Sequence, residues 1–293
     1  MASTQTIQVP HLDATVGYEV SNGKLDAAKP TLVLVNPFCA TAEYYRAQLD
    51  DAALGARMNL LAIEPLGHGA TACAADHFTY WDSALVALQA MQALGVSKAY
   101  ALGVSQGGWV VARMALLAPE RILGLVTIAT SMDCESADSR TKGCWDPAAF
   151  VTPFVQSWSS STPTHDFVVG DDWIQPVLGL ALGSASTPAI AEFWSKSIQR
   201  VYAGDHGRRK LRMATINVAE RDGLLLRIGD IKCPVHWYQG TADPIFGTTV
   251  PQEQIKLFTG SKEAKLSFIE DGVHFLSVSH PKEIQEAILE MVH

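Results

Sequence analysis

Short apolar runs alternate with helical patterns over residues 31–129, and this alternation limits the folds open to the chain. The runs, of which the first reads TLVLV, lie at 31–35, 58–63, 98–104 and 122–129. Apolar residues with helical spacing lie between them, near 42–54, 78–94 and 107–117. Continuous apolar runs are typical of strands buried on both faces, and strands that alternate with helices pair in parallel. We therefore predict an α/β fold, with a mostly parallel central sheet flanked by helices.

The patterns near the two ends of the sequence add strands to this sheet. Segments 6–9 and 15–20 alternate between polar and apolar residues, which predicts an opening hairpin. After residue 223 the alternation of strands and helices resumes. The predicted strands there are 235–239 and 264–269, and the predicted helices are 249–259 and 281–291.

The segment 134–222 interrupts this rhythm. Its helix-like stretches, separated by joints rich in Pro, Ser and Thr, lie near 147–158, 171–183, 187–202 and 206–221. We predict an α/β core formed by residues 1–133 and 223–293, with residues 134–222 inserted as a helical cap. A basic cluster in the last predicted cap helix, Arg208-Arg209-Lys210, is expected to form a solvated helix face.

Composition excludes several classes of function. The chain has 293 residues, of which 48% are hydrophobic, and its net charge of -8 argues against binding to nucleic acid or to an anionic membrane. The sequence contains no run of about eighteen apolar residues, so we predict no membrane-spanning helix. The first twenty residues lack the basic start and apolar stretch of a secretory signal, so we expect a cytoplasmic location. The five cysteines are scattered and odd in number, which predicts free thiols, no metal site and no cofactor.

The sequence GVSQG places Ser105 between a predicted strand and a predicted helix. A residue at such a junction occupies a sharp turn with little room on either side, which Gly103 and Gly107 provide by having no Cβ. Gly108 lets the new helix lie close to the sheet. The helix N-terminus also directs unpaired N–H groups towards the serine. We therefore predict that Ser105 is a catalytic nucleophile.

A serine nucleophile needs a base, and an acid usually orients that base. His274, in DGVHF, follows the last predicted strand and is expected at the carboxyl edge of the sheet, on the same side as Ser105. Asp243, in GTADP, also follows a strand directly and is the preferred acid. Asp133, after the strand that ends near residue 129, is the alternative acid.

These motifs make the chain similar to the α/β-hydrolase superfamily. GVSQGG resembles the nucleophile elbow, while GTADPIF and DGVHF resemble the acid and histidine loops. Within the superfamily the chain resembles the small-molecule esterase and enol-lactonase branches. The resemblance implies an oxyanion hole formed by two backbone N–H groups. One belongs to Gln106, and alignment of VNPFCAT with the corresponding loop of relatives, which usually reads His-Gly, assigns the other to Phe38.

Tryptophans are concentrated near the predicted site. We predict an apolar pocket over Ser105 whose candidate lining residues are Trp109, Met132, Trp145, Trp158, Trp173 and Trp194. The alternative for each tryptophan is that it fills the small core of the cap itself. Such a pocket favours a small to medium, apolar ester or lactone. The same triad could also serve thioester release, acyl transfer or carbon–carbon bond hydrolysis, and a receptor-like binding protein is a further alternative. The oligomeric state is left open, with a homodimer among the alternatives.

Overall fold

The computed structural model describes residues 4–292, in which eight strands form one mixed sheet in the order β1-β2-β4-β3-β5-β6-β7-β8. The β1–β2 and β2–β4 pairs are antiparallel, and all the other neighbouring pairs are parallel. The strands are β1 (Gln5–Val9), β2 (Ala14–Val20), β3 (Thr31–Val35), β4 (Asn59–Ile63), β5 (Ala99–Val104), β6 (Ile122–Ile128), β7 (Val235–Gly240) and β8 (Ala264–Ile269). The predicted α/β fold is confirmed, including the opening hairpin.

Helices cover both faces of the sheet. Within the described residues they are α1 (Arg46–Leu49), α2 (Ala52–Arg57), α3 (Tyr80–Ala93), α4 (Gln106–Leu117), α5 (Ala137–Thr141), α6 (Pro147–Ser157), α7 (Asp171–Leu182), α8 (Pro188–Val201), α9 (Gly204–Glu220), α10 (Thr249–Gln254), α11 (Leu276–Ser279) and α12 (Pro281–Met291). Because successive side chains of a strand point to opposite faces, Val33 and Val35 pack with α3 and α4, whereas Leu32 and Leu34 pack on the side of α12. Both faces are therefore apolar, which explains the continuous TLVLV run.

The helix predicted near 42–54 is broken into a 3₁₀ turn and two short helices. Asp51 has an extended backbone, and its side chain accepts a hydrogen bond from Leu54 N at 2.7 Å, so it caps the start of α2. Aspartate at such a position ends one helix and begins another. The two adjacent aspartates in LDDAAL are the sequence signal for this break.

The segment between β6 and β7 contains the helices α5 to α9. Four of them lie close to the predicted stretches, and the short helix α5 was not predicted. We keep the name cap for residues 134–222. None of the helices within residues 4–292 is long and apolar enough to cross a membrane.

The expectation that Arg208-Arg209-Lys210 forms a solvated face is wrong for two of its three members. Arg208 is 3% exposed and donates hydrogen bonds to the Trp158 carbonyl and to Asp205. Lys210 donates to the Gly69 carbonyl at 2.5 Å, and burial lowers its pKa to about 8. Arg208 faces the cap segment that follows α6, whereas Lys210 faces the core loop that contains Gly69. Only Arg209 is exposed, beside Asp76.

Candidate active site

Ser105 occupies a strained turn between β5 and α4. Its backbone angles are φ 52° and ψ −121°, a conformation that non-glycine residues rarely adopt. Its neighbours leave no space for side chains: a Cβ on Gly103 would lie 2.1 Å from the Gly107 carbonyl oxygen, and a Cβ on Gly107 would lie 2.1 Å from that of Val35. The glycines are therefore required by close backbone packing at the turn.

Hydrogen bonds hold this turn in place. Ser105 N donates to the Ile128 carbonyl at 2.9 Å, and the Ser105 carbonyl accepts from Thr130 Oγ1 at 2.9 Å. Both partners belong to the neighbouring strand β6 or to the loop that follows it. The strain at Ser105 is thus supported from the adjacent strand, and its side chain lines a cavity at the carboxyl edge of the sheet.

His274 and Asp243 form a buried pair beside the same cavity. His274 Nδ1 lies 3.0 Å from Asp243 Oδ2, and the two residues are 3% and 4% exposed. Asp243 also accepts hydrogen bonds from Ile245 N at 2.8 Å and from Gln239 Nε2 at 2.8 Å. Burial alone would raise the pKa of Asp243, but His274 and these donors lower it, so the carboxylate is charged and holds one ring nitrogen.

The alternative acid, Asp133, is placed differently. It is partly exposed, and its Oδ1 accepts a hydrogen bond from Cys134 N at 2.8 Å. Because Asp243 accepts the hydrogen bond of His274, the geometry favours Asp243 over Asp133 as the acid.

The cavity is narrow and mostly apolar. It offers about 50 Å³ to the centres of water molecules, which is room for a few of them. Ser105 and His274 lie in its wall, together with apolar residues of both core and cap. The apolar members are Pro37, Phe38, Trp109, Trp145, Phe150, Val177, Leu180, Ala181, Val218, Ile245, Phe246 and Phe275.

Two of the six predicted pocket residues, Trp109 and Trp145, line this cavity. The other four are not part of this wall, because each packs elsewhere. Met132 is buried within the core, where its backbone N–H donates to Gln254 Oε1 at 2.7 Å. Trp158 and Trp173 pack on each other, with ring centroids 4.9 Å apart, inside the cap. Trp194 lies on the far side of Phe275 and lines a separate groove.

Two backbone N–H groups near Ser105 are free to receive a developing negative charge. Phe38 and Gln106 both line the cavity. Within residues 4–292 neither of their backbone N–H groups donates to a protein acceptor. The Asn36 side chain donates to the Pro37 and Ala40 carbonyls, at 3.1 and 2.8 Å, and so holds the turn that contains Phe38. The pair can therefore act as an oxyanion hole.

The cavity wall also contains polar residues that sequence reasoning missed. Arg221 stacks over the Trp109 ring at 3.9 Å and forms a buried ion pair with Glu135. Tyr80 OH donates to Gln106 Oε1 at 3.3 Å. Arg221 comes from the last turn of the cap and Tyr80 from the first turn of α3, so no local pattern indicates that they meet.

Comparisons with known proteins agree with this architecture. Residues 30–153 match a family model described as the alpha/beta hydrolase fold. A 1-acylglycerol-3-phosphate O-acyltransferase from Arabidopsis thaliana is 26% identical over 165 residues, and the match covers 52% of this chain. It spans only 34% of that relative.

Solved structures are similar over nearly the whole chain. A hydrolase from Pseudomonas aeruginosa PA01 is 23% identical with a TM-score of 0.77, over 99% of this chain and 98% of its own. The enol-lactonase from Burkholderia xenovorans LB400 is 15% identical with a TM-score of 0.78, over 98% and 99% respectively. At these identities the similarity establishes the fold alone.

Proposed function

We propose that the chain is a member of the α/β-hydrolase superfamily and a serine hydrolase that cleaves a carboxylic ester or lactone through an acyl-enzyme; the family-model match over residues 30–153 supports the first part. The observation that carries the proposal is the convergence of three groups on one cavity. Ser105, at the strained strand-to-helix turn, and His274, which is paired with Asp243, line this cavity. Phe38 and Gln106, whose backbone N–H groups have no protein acceptor within residues 4–292, line it as well.

The proposed reaction begins with proton transfer from Ser105 Oγ to His274. Because Nδ1 of His274 is held by Asp243, Nε2 is the nitrogen that accepts this proton. Ser105 Oγ attacks the substrate carbonyl, and the N–H groups of Phe38 and Gln106 stabilise the resulting oxyanion. The C–O bond to the alcohol then breaks and the alcohol takes the proton from His274. Water, activated by the same nitrogen, hydrolyses the acyl-enzyme.

The cavity supports a small, apolar substrate. Its walls are mainly aromatic and aliphatic, and its free space is narrow. The charge of Arg221 is already paired with Glu135, so among residues 4–292 the cavity wall has no uncompensated arginine or lysine that would favour a dianionic substrate. The similarity in fold to an enol-lactonase supports lactones as candidates beside open-chain esters.

Acyl transfer is the second candidate, and the partial similarity to an acyltransferase favours it. The chemistry differs only in the last step, in which an alcohol instead of water attacks the acyl-enzyme. Transfer would require the cap to exclude water from the acyl-enzyme while admitting the alcohol acceptor.

The test combines activity with labelling. Purified protein is assayed against p-nitrophenyl esters of increasing chain length, small lactones and thioesters, with and without an added alcohol acceptor. A fluorophosphonate is then used to label the protein, followed by peptide mass spectrometry. We expect ester or lactone turnover and a label on Ser105. Absence of turnover together with absence of a label, in folded protein, contradicts the proposal.

A further inference from the structure

His68 takes part in a buried hydrogen-bond network behind the oxyanion hole. Its Nε2 lies 3.0 Å from Gln106 Nε2, and the same amide nitrogen lies 3.4 Å from the Asn36 carbonyl. Tyr80 OH donates to the other end of the amide, Gln106 Oε1, at 3.3 Å. A single amide side chain therefore connects the loop of His68, α3 and the turn that contains Phe38.

The direction of these hydrogen bonds is fixed by the histidine. His68 Nδ1 lies 3.0 Å from the Leu66 carbonyl, which can only accept, so Nδ1 carries the proton. Nε2 is then an acceptor and receives the hydrogen bond from the Gln106 amide. Burial lowers the pKa of His68 to about 3, which keeps the ring neutral and this lone pair available.

The loop that carries His68 is itself well anchored. His68 is 1% exposed, and its backbone N–H donates to the Pro65 carbonyl at 3.1 Å. The Glu64 carboxylate accepts hydrogen bonds from Ala42 N and Ala70 N at 3.0 and 2.6 Å. The ring of His68 is thus held in place by its own loop, and it positions the Gln106 side chain through the hydrogen bond at Nε2.

From this network we infer that His68 is a positioning residue for the oxyanion hole, acting through the Gln106 side chain. Gln106 supplies one of the two oxyanion-hole donors from its own backbone N–H. Its side-chain amide donates to the Asn36 carbonyl, two residues before the other donor, Phe38. The lone pair of His68 Nε2 accepts one N–H of the amide and thereby orients the other N–H towards the Asn36 carbonyl. The two halves of the oxyanion hole are thereby kept at a constant separation. This inference rests on the proposed hydrolase function.

Two variants remove the network without removing either backbone donor. His68→Phe keeps a ring of similar shape but loses the acceptor, and Gln106→Met keeps the chain length but loses the amide. Removal of a whole oxyanion donor costs about 10²–10³-fold in kcat, so we expect a smaller loss, of about 10- to 100-fold, from misplacement. KM for a p-nitrophenyl ester should change little. The inhibition constant of a trifluoromethyl ketone, whose adduct places an oxyanion in the hole, should rise by about the same factor as kcat falls.

A matched control separates positioning from general loss of stability. His236 is also a buried histidine, 5% exposed, but it lies at the start of β7, away from the carboxyl edge, and contacts Glu263 at 3.2 Å. His236→Phe should lower the melting temperature without changing kcat or fluoroketone binding. The double variant His68→Phe/Gln106→Met should cost about as much as either single variant, because the two residues act through one another.

The outcomes distinguish this inference from the proposed function. If wild-type protein hydrolyses esters while His68→Phe and Gln106→Met behave like His236→Phe, the role of His68 is wrong and the hydrolase proposal stands. If the loss appears in KM and the fluoroketone constant is unchanged, His68 does not support the oxyanion hole. If the wild-type protein neither turns over esters nor reacts with the fluorophosphonate, both proposals fail. Should His68→Phe not fold, Gln106→Met alone decides the question.

Discussion

The core and the cap contribute to the candidate site by different physical means. The core places Ser105 directly after β5, and Asp243 and His274 in the loops that follow β7 and β8, where hydrogen bonds to the backbone and to one another hold them. The cap contributes apolar side chains from separate segments, including Trp145 before α6, Phe150 in α6 and Val177 in α7, whose positions depend on how these segments pack. We therefore expect the core to determine whether bonds are broken and the cap to determine which substrates fit.

The largest effect expected from a change in the core is that of Ser105→Ala. The nucleophilic oxygen is lost, whereas the backbone strain at this position is the same for alanine, so the fold should be retained. For members of such a unit we expect a fall in kcat of about 10⁶-fold, with His274→Ala similar and the double variant no worse. Ester hydrolysis measures the fall in kcat, and thermal unfolding shows whether the fold is retained. A variant with near wild-type rates would remove Ser105 from its proposed role.

Asp243→Asn is expected to have the next largest effect. The amide introduced by this change can donate to His274 Nδ1 and would stabilise the histidine tautomer that carries its proton on Nε2. A protonated Nε2 cannot accept the proton of Ser105. We expect kcat to fall by about 10⁴-fold, while KM stays close to that of the wild type.

Asp133→Asn is the matched control, since Asp133 follows β6 at the same edge of the sheet and is the alternative acid. Its carboxylate contacts Cys134 N rather than the histidine, so the change should leave kcat nearly intact. If Asp133→Asn were the damaging variant and Asp243→Asn mild, the acid would have to be reassigned.

The same contrast explains which features could be predicted from the sequence. The glycines around Ser105 and the loops of Asp243 and His274 follow strands directly, so local pattern places them at one edge of the sheet. The positions of Met132, Trp158, Trp173 and Trp194 are decided by contacts between distant segments. An aromatic residue in the cap can face the cavity or the interior of the cap, and composition does not distinguish the two. The inward orientation of Arg208 and the network of His68 were missed for the same reason.

Trp145→Ala tests the role of the cap, and its effect should be smaller than those of the core variants. The indole forms part of the cavity wall, and loss of such an apolar contact costs about 1–3 kcal/mol for a substrate that fills the site. We expect KM for a butyrate or hexanoate ester to rise about tenfold, with a weaker effect on the acetate. The ratio of kcat/KM between the esters is the quantity to measure. If all the esters lost activity equally through kcat, the division between core and cap would be too simple.

Trp158→Ala is the matched cap variant and should have the smallest effect on selectivity. Trp158 packs against Phe154, Phe167 and Trp173 in the interior of the cap and has no place in the cavity wall. Truncation of a buried tryptophan costs about 3–5 kcal/mol of stability, so the cap should unfold at lower temperature or denaturant concentration. Below that transition, the ratio of kcat/KM between acetate and hexanoate should stay within about twofold of the wild type, because distant sites act independently.

A change in that ratio as large as the one from Trp145→Ala would show that the aromatic cluster transmits its packing to the cavity wall. One neighbour through which it could do so is Phe150, which stacks on Trp173 with ring centroids 5.3 Å apart and lines the cavity. In that case the selectivity of the cap would belong to the cluster as a unit, and Phe150→Leu should reproduce the change.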